Sequence, residues 1–174
     1  MVLSTPVGAA VSNYNIPDEN LTLVNMMDRL LDRVVGVYEQ AGIPLPTRRF
    51  WMLSGEVPED CEQLVVTFVQ SYLGAPGDSA ADAQQCNSPR TGVFNIWVTR
   101  NHPVGEAGKA VAADRIIEAS KWGAIDAYTL MWALEDLSTL DDGFKGPGVI
   151  ATVNVSPPNG GVQSTVLNIS TMIG

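Results

Sequence analysis

The sequence predicts an α+β domain in which a mostly antiparallel sheet of about five strands carries two or three packed helices. Three observations lead there. An apolar stripe recurs at threes and fours between residues 17 and 41. Residues 62–73 read as a strand apolar on both sides, and residues 93–100 as a strand with Phe94, Ile96 and Val98 opposite Asn95, Trp97 and Thr99. Asn159-Gly160-Gly161 separates two further alternating segments, a strong hairpin signal. The order α-β-β-β-α(α)-β-β lacks the strict alternation of a parallel sheet, and one helix layer on one sheet buries both apolar surfaces economically.

Residues 1–15 are small, weakly periodic and broken by Pro6 and Gly8, so they read as a flexible arm preceding one domain over 16–174. Their apolar burial is too small to offset roughly 1–2 kcal/mol of backbone entropy per residue, so the arm should order only against a neighbour. Pro17, Asp18 and Glu19 suit a helix start. Leu23, Met27, Leu30, Val34 and Tyr38 then form the stripe, with Asp28, Arg29, Asp32 and Arg33 off it. Gly42 ends this helix, and Pro44 and Pro46 prevent its continuation. Gly36 costs on the order of 1 kcal/mol inside the helix and is expected to mark a close packing contact.

A short strand at 50–53 stops at Ser54-Gly55. The longer strand 62–73 places Leu64, Val66, Phe68 and Tyr72 on one side and Val65, Val69 and Leu73 on the other. With both sides apolar it should be a central strand. The small and polar stretch 75–90 predicts a long loop of functional or interface use. Residues 106–137 are helical by composition, with a break expected at Ser120-Lys121-Trp122-Gly123 because an unbroken run would exceed 30 residues. A Gly-rich turn at 143–148 leads into the hairpin of 149–156 and 162–170.

The charge balance limits the chemistry. A formal charge of −9 disfavours binding to DNA or anionic membrane. No run of 18 apolar residues and no basic region before an apolar N-terminal core occurs, so neither a membrane span nor a secretory signal is expected. His102 is the sole histidine, and no GxSxG elbow is present. Asp60 and Glu62 beside Cys61 disfavour a thiolate, so that cysteine reads as structural. Cys61 and Cys86 could form one bridge or stay reduced. Asp136, Asp141 and Asp142 lack the regular ligand spacing of a calcium loop, and no phosphate-binding glycine motif occurs. The expectation is therefore no catalysis, no cofactor and no metal. Trp51, Trp97, Trp122 and Trp132 are interface candidates, with core packing the competing use.

The run Val57-Pro58-Glu59-Asp60-Cys61-Glu62-Gln63-Leu64-Val65-Val66 is followed by Gly74, by Cys86-Asn87-Ser88-Pro89-Arg90 and by Phe94-Asn95-Ile96-Trp97-Val98-Thr99-Arg100. This pattern resembles the neck-region proteins of long-tailed actinobacterial phages, most of all their tail terminators. The resemblance spans about 20–140. It implies a small structural virion protein that forms a homo-oligomeric ring, a hexamer in that family. Such a ring stops tail-tube polymerisation and joins the tube protein to a head-side connector or stopper. It implies assembly in the host cytoplasm, residence in the neck or tail, and DNA passing through without specific binding. Competing readings are another neck or tail protein, such as a stopper or tube subunit, and a cytosolic enzyme with no recognised motif. Granting the ring, Glu59, Asp78, Asp82, Asp141 and Asp142 are the channel-lining candidates, whereas Asp28 and Asp32 should face outward or meet Arg29 and Arg33.

Overall fold

The structure, a computed structural model, describes residues 22–53, 57, 61–78, 89–105, 109–134 and 149–173. The elements are α1 (Thr22–Ala41), β1 (Arg48–Leu53), β2 (Gln63–Leu73), β3 (Arg90–Asn101), α2 (Ala113–Leu134), β4 (Ile150–Val155) and β5 (Val162–Ile173). The α+β class and the order of elements are those the sequence predicts. The strands lie in the order β1-β2-β3-β5-β4. β1 runs parallel to β2, and the other three pairings are antiparallel.

Both helices cover one face of this sheet, α1 over β1 and β2, α2 over β5 and β4. Met27, Leu30, Val34 and Tyr38 of α1 meet Leu64, Val66, Ile96 and Leu167 of the strands in the core. Full burial of each such side chain stabilises by about 1.5–3 kcal/mol before chain entropy is counted. The end of α1 follows from its sequence. Gly42 takes φ of 67°, its N–H bonds to Glu39 O, and Ile43 N–H bonds to Tyr38 O. These are the two bonds of a Schellman cap, which fixes Tyr38 in the last turn.

Five expectations are corrected. In β2, Phe68 pairs with Phe94 while Gln70 already pairs with Val93, so Val69 is an extra, bulged residue. A one-residue slip exchanges faces, and Tyr72 therefore lies on the side opposite Leu64 and Phe68. Burial on both faces extends only over Gln63–Thr67; beyond the bulge Val69 and Leu73 are exposed.

The break predicted at 120–123 is absent. α2 runs unbroken for 22 residues, and residues 109–112 before it are not helical. Gly123 is buried against the sheet, where an added Cβ would come within 3.3 Å of Val155 Cγ1. That glycine permits close helix–sheet approach and does not end the helix. Gly36 is the converse: it is exposed, and an added Cβ would meet nothing within 4 Å.

The C-terminal hairpin forms as expected. Asn159 and Val162 exchange both backbone hydrogen bonds, and Gly160 and Gly161 sit at φ of 58° and 88°. Two positive φ values in a two-residue loop are the requirement of a type I′ turn. The 1–15 arm, the helix start at 17–19, most of the 75–90 loop, the 143–148 turn and Cys86 lie outside the described residues.

Candidate functional site

The densest polar construction lies where β3 ends beneath the two helices. Two residues beyond Val98, Arg100 shares that residue's helix-facing side of β3. Its Nε donates to Asp126 Oδ2 at 2.7 Å and its Nη2 to Asp126 Oδ1 at 2.8 Å. The same Nη2 donates to Pro44 O at 2.9 Å, and Tyr38 Oη donates to Asp126 Oδ1 at 2.9 Å. The guanidinium also stacks on the Trp122 ring, 4.9 Å from its centroid. Arg100 thus ties β3 to α2 by a bidentate ion pair and a cation–π contact and to the segment after α1 through Pro44 O, while α1 joins through the Tyr38–Asp126 bond.

Asp126 is only 1% exposed. Burial first, then the charge and hydrogen bond of Asp126, push the Tyr38 phenol far above its ordinary value, so it stays a donor. Burial is also the largest influence on Arg100 and works against its charge. The hydrogen bond and charge of Asp126 outweigh it, with help from Tyr38 and Glu62, and the guanidinium ends above its ordinary value. Asp126 thus accepts three charge-assisted or phenolic bonds inside the protein. Its chemistry is that of a clasp, and it is not presented to a substrate.

Trp122 connects the clasp to the surface. Two shallow clefts of about 370 Å³ and about 310 Å³ share His102 and Pro103. The larger adds Arg115, Glu118 and Trp122; the smaller adds Val111, Ile116 and Pro158. His102 Nδ1–H donates to its neighbour's carbonyl, Pro103 O, at 3.1 Å, and its backbone N–H is held by Gly161 O at 2.7 Å. Among the described residues no group of three His, Cys, Asp or Glu is placed to hold a metal ion, and no helix is long and apolar enough to cross a membrane.

The third feature is the outward side of α2. Ile117, Lys121, Ala124, Tyr128 and Met131 follow one another at spacings of four and three, all exposed, on the side opposite buried Asp126, Leu130 and Ala133. Tyr128 is 76% exposed and Ile117 57%. Among described residues, α2 supplies five of the eleven exposed large apolar side chains, and α1 supplies none.

The four tryptophans occupy four separate places, all half-buried. Trp51 packs on the core and donates to Asp28 Oδ1 at 2.6 Å, which joins β1 to α1. Asp28 is exposed, as expected, but its partner is this indole. Trp97 lies on the sheet face away from the helices, its buried Nε1 without a hydrogen-bond partner. Trp122 stacks under Arg100, and Trp132 packs on the core. Of the acidic candidates, Asp78 closes the Ala75–Asp78 turn, its Oδ2 accepting from Ala75 N–H at 2.7 Å. Glu59, Asp82, Asp141 and Asp142 lie outside the described residues.

Arg100, Asp126 and the hydroxyl of Tyr38 were not singled out by sequence reasoning. The one available signal was Asp126 itself, a lone acid within the apolar stretch Ala124–Leu134. No protein-family model matches the chain, and no curated protein matches it in sequence.

Proposed function

We propose that this chain is a structural subunit of the tail-terminator kind, assembling into a ring that caps a phage tail tube and meets the head-side connector. The observation that carries the reading is the solvent side of α2, whose apolar seam exceeds what an ordinary solvent face needs. Ile117, Tyr128 and Met131 are exposed along one side of this helix, interrupted by Lys121, and in this reading that side would be covered by an assembly of copies. The clasp at Arg100 fits a scaffold role, because it fastens both helices and keeps the Asp126 carboxylate bonded inside the protein. The sequence resemblance supplies the ring and the tube end, with the hexamer as the expected size.

The charge distribution adds a second element. Of the nineteen acids, eleven lie outside the described residues together with one of the ten bases; eight acids and nine bases lie within. The acidic excess therefore belongs to the N-terminal and connecting segments, where four of the five channel candidates stand. In a ring, repulsion of passing DNA acts only within about 8 Å at physiological ionic strength, so acids on such segments would have to approach the axis. Sizing of the purified protein with electron microscopy tests the reading. Closed rings without salt-steep binding to duplex DNA are expected. A protein that stays monomeric, or a ring that grips DNA through released counterions, would overturn it.

A further inference from the structure

We infer that two copies of this chain pair through the free edge of β4, antiparallel about a two-fold axis at Val153, with the flanks of their α2 helices packed together above. The inference goes beyond the ring reading and does not rest on it. β4 ends the sheet, and no described strand pairs with its outer edge. The two sheet edges differ in charge. β1 opens with exposed Arg48 and Arg49, and charged side chains on an edge discourage strand addition. β4 reads Ile150-Ala151-Thr152-Val153-Asn154-Val155, without charge or proline, and Ile150 and Val155 are 47% and 45% exposed. Its hydrogen-bonding directions follow from the register. Ser156 N–H donates to Ser164 O at 2.8 Å, in line with Ile150 opposite Ser170. Antiparallel bonds alternate, so Thr152 and Asn154 turn their backbone groups to β5, and Ala151, Val153 and Val155 turn theirs outward. Setting Val153 against its own counterpart brings Ala151 opposite Val155, and each such pair exchanges both backbone bonds.

The helix layer selects a second copy over a lone extended segment as the occupant. α2 lies over β5 and β4, so across the axis the two α2 helices stand two strand spacings apart, about 9.6 Å. That falls within the roughly 8–10 Å at which helices pack. The side of α2 toward β4 is marked by Gly123 over Val155, and by Ile116 beside Pro158 and Gly161 of the hairpin turn. Ile116, Ser120, Ala124, Ala127, Met131 and Leu134 follow along it at threes and fours, and Asp114, Arg115, Glu118 and Lys121 fall off that row. Ile116 and Met131 are 41% and 45% exposed. Ser120 Oγ already donates to Ile116 O at 2.8 Å, so covering it leaves no donor open. α2 runs from the turn back along β4. From Val155 to Val153 is about 7 Å, which a helix covers in roughly four to five residues, so the small Ala127 stands near the axis. A lone strand would complete the edge bonds and leave Ile116 and Met131 in water; a second copy covers both. Ile117, Lys121 and Tyr128 point away from the sheet and stay open in the pair.

The test is residue-resolved hydrogen exchange on the full-length protein across a dilution series, with sedimentation at each concentration. Where copies associate, the amides of Ala151, Val153 and Val155 should exchange about tenfold or more slowly than in the dilute monomer, with the outward amides of β1 unchanged. Two variants divide the contact. Val153→Pro removes a donor that points to solvent in one copy, and Met131→Glu sets a charge on the helix flank, where pairing would bury it without a partner. Each should raise the dissociation constant roughly tenfold or more, and Met131→Glu, on an exposed helix position, keeps the test usable if the proline variant does not fold. Edge protection that survives Met131→Glu would overturn the two-fold pair in favour of an added strand alone. Rings whose β4 amides exchange at the monomer rate would overturn the pair and leave the ring reading standing. A protein that stops at the dimer with a protected edge supports the pair and removes the ring. A wild type that never associates overturns both.

Discussion

α1 and α2 are near twins in length and lie on the same face of the same sheet, yet they meet water differently. Outward, α1 presents Asn25, Asp28, Asp32, Gly36 and Glu39; α2 presents Asp114, Arg115, Glu118 and Lys121 in its first half and Ile117, Ala124, Tyr128 and Met131 along its length. Inward, α1 supplies most of the helical share of the apolar core, while α2 supplies Leu130 and Ala133 and a buried acid. The first helix turns no large apolar side chain to solvent, and the second turns five. A helix can thus be fully folded, fastened by an ion pair, and still leave large apolar side chains exposed in one copy of the chain.

The fastening is common to both helices, so breaking it tests them together and gives the largest expected effect. Asp126→Ala leaves the largely buried Arg100 without its counter-ion, and the expected loss is about 3–5 kcal/mol by urea unfolding. A loss near zero would mean that Arg100 finds another partner and that the clasp does not hold α2. Replacing both groups, Arg100→Met with Asp126→Leu, should recover most of that loss, since a packed apolar pair removes the uncompensated charge.

Tyr38 sharpens the comparison from the α1 side, because its hydroxyl is the only side-chain bond α1 makes to the clasp among the bonds described above. Tyr38→Phe should cost about 1.5–3 kcal/mol at neutral pH, the range for a hydrogen bond to a charged group. The sign of its pH dependence follows from linkage. The folded value is raised above the ordinary 10.0, so the native state holds the phenolic proton more tightly than the unfolded chain. That contribution is complete below pH 10 and is lost as pH climbs above it toward the folded value. Wild type should lose stability above pH 10 more steeply than Tyr38→Phe, with parallel curves between pH 7 and 9. Parallel curves through the alkaline range as well would remove Tyr38 as the source.

What was legible in the sequence follows the same division. The stripe of α1 and the Asn159-Gly160-Gly161 turn are local patterns, and local patterns survive into the structure. Gly123 misled because glycine signals both helix ends and close packing, and only the sheet beneath it decides which. The bulge at Val69 depends on the register with β3, which alternation alone does not encode. Arg100 and Asp126 stand 26 residues apart on different elements, so their pairing exists only once α2 has docked. The seam of α2 was present as residues, but each of its apolar positions reads as core until the structure shows that the core lies on the other side.

The smallest effect concerns the solvent sides themselves, where α1 should be improvable and α2 indifferent. Gly36 is exposed on α1, outside the left-handed region, with nothing within 4 Å of an added Cβ. Alanine there reduces the freedom of the unfolded chain and meets no atom in the folded one, so Gly36→Ala should raise stability by about 0.4–1 kcal/mol. The paired measurement is Tyr128→Gln on α2, at a side chain 76% exposed. Glutamine is a good helix former and little buried area is lost, so the isolated subunit should change by less than about 0.5 kcal/mol. Both are read from denaturant midpoints below the concentration of assembly. A clear stabilisation at position 36 with no change at 128 means that α1 is limited by its backbone while the outer side of α2 contributes nothing to the fold of one copy. If Tyr128→Gln instead costs several kcal/mol in the monomer, that side is already packed within the subunit, and the contrast between the two helices disappears.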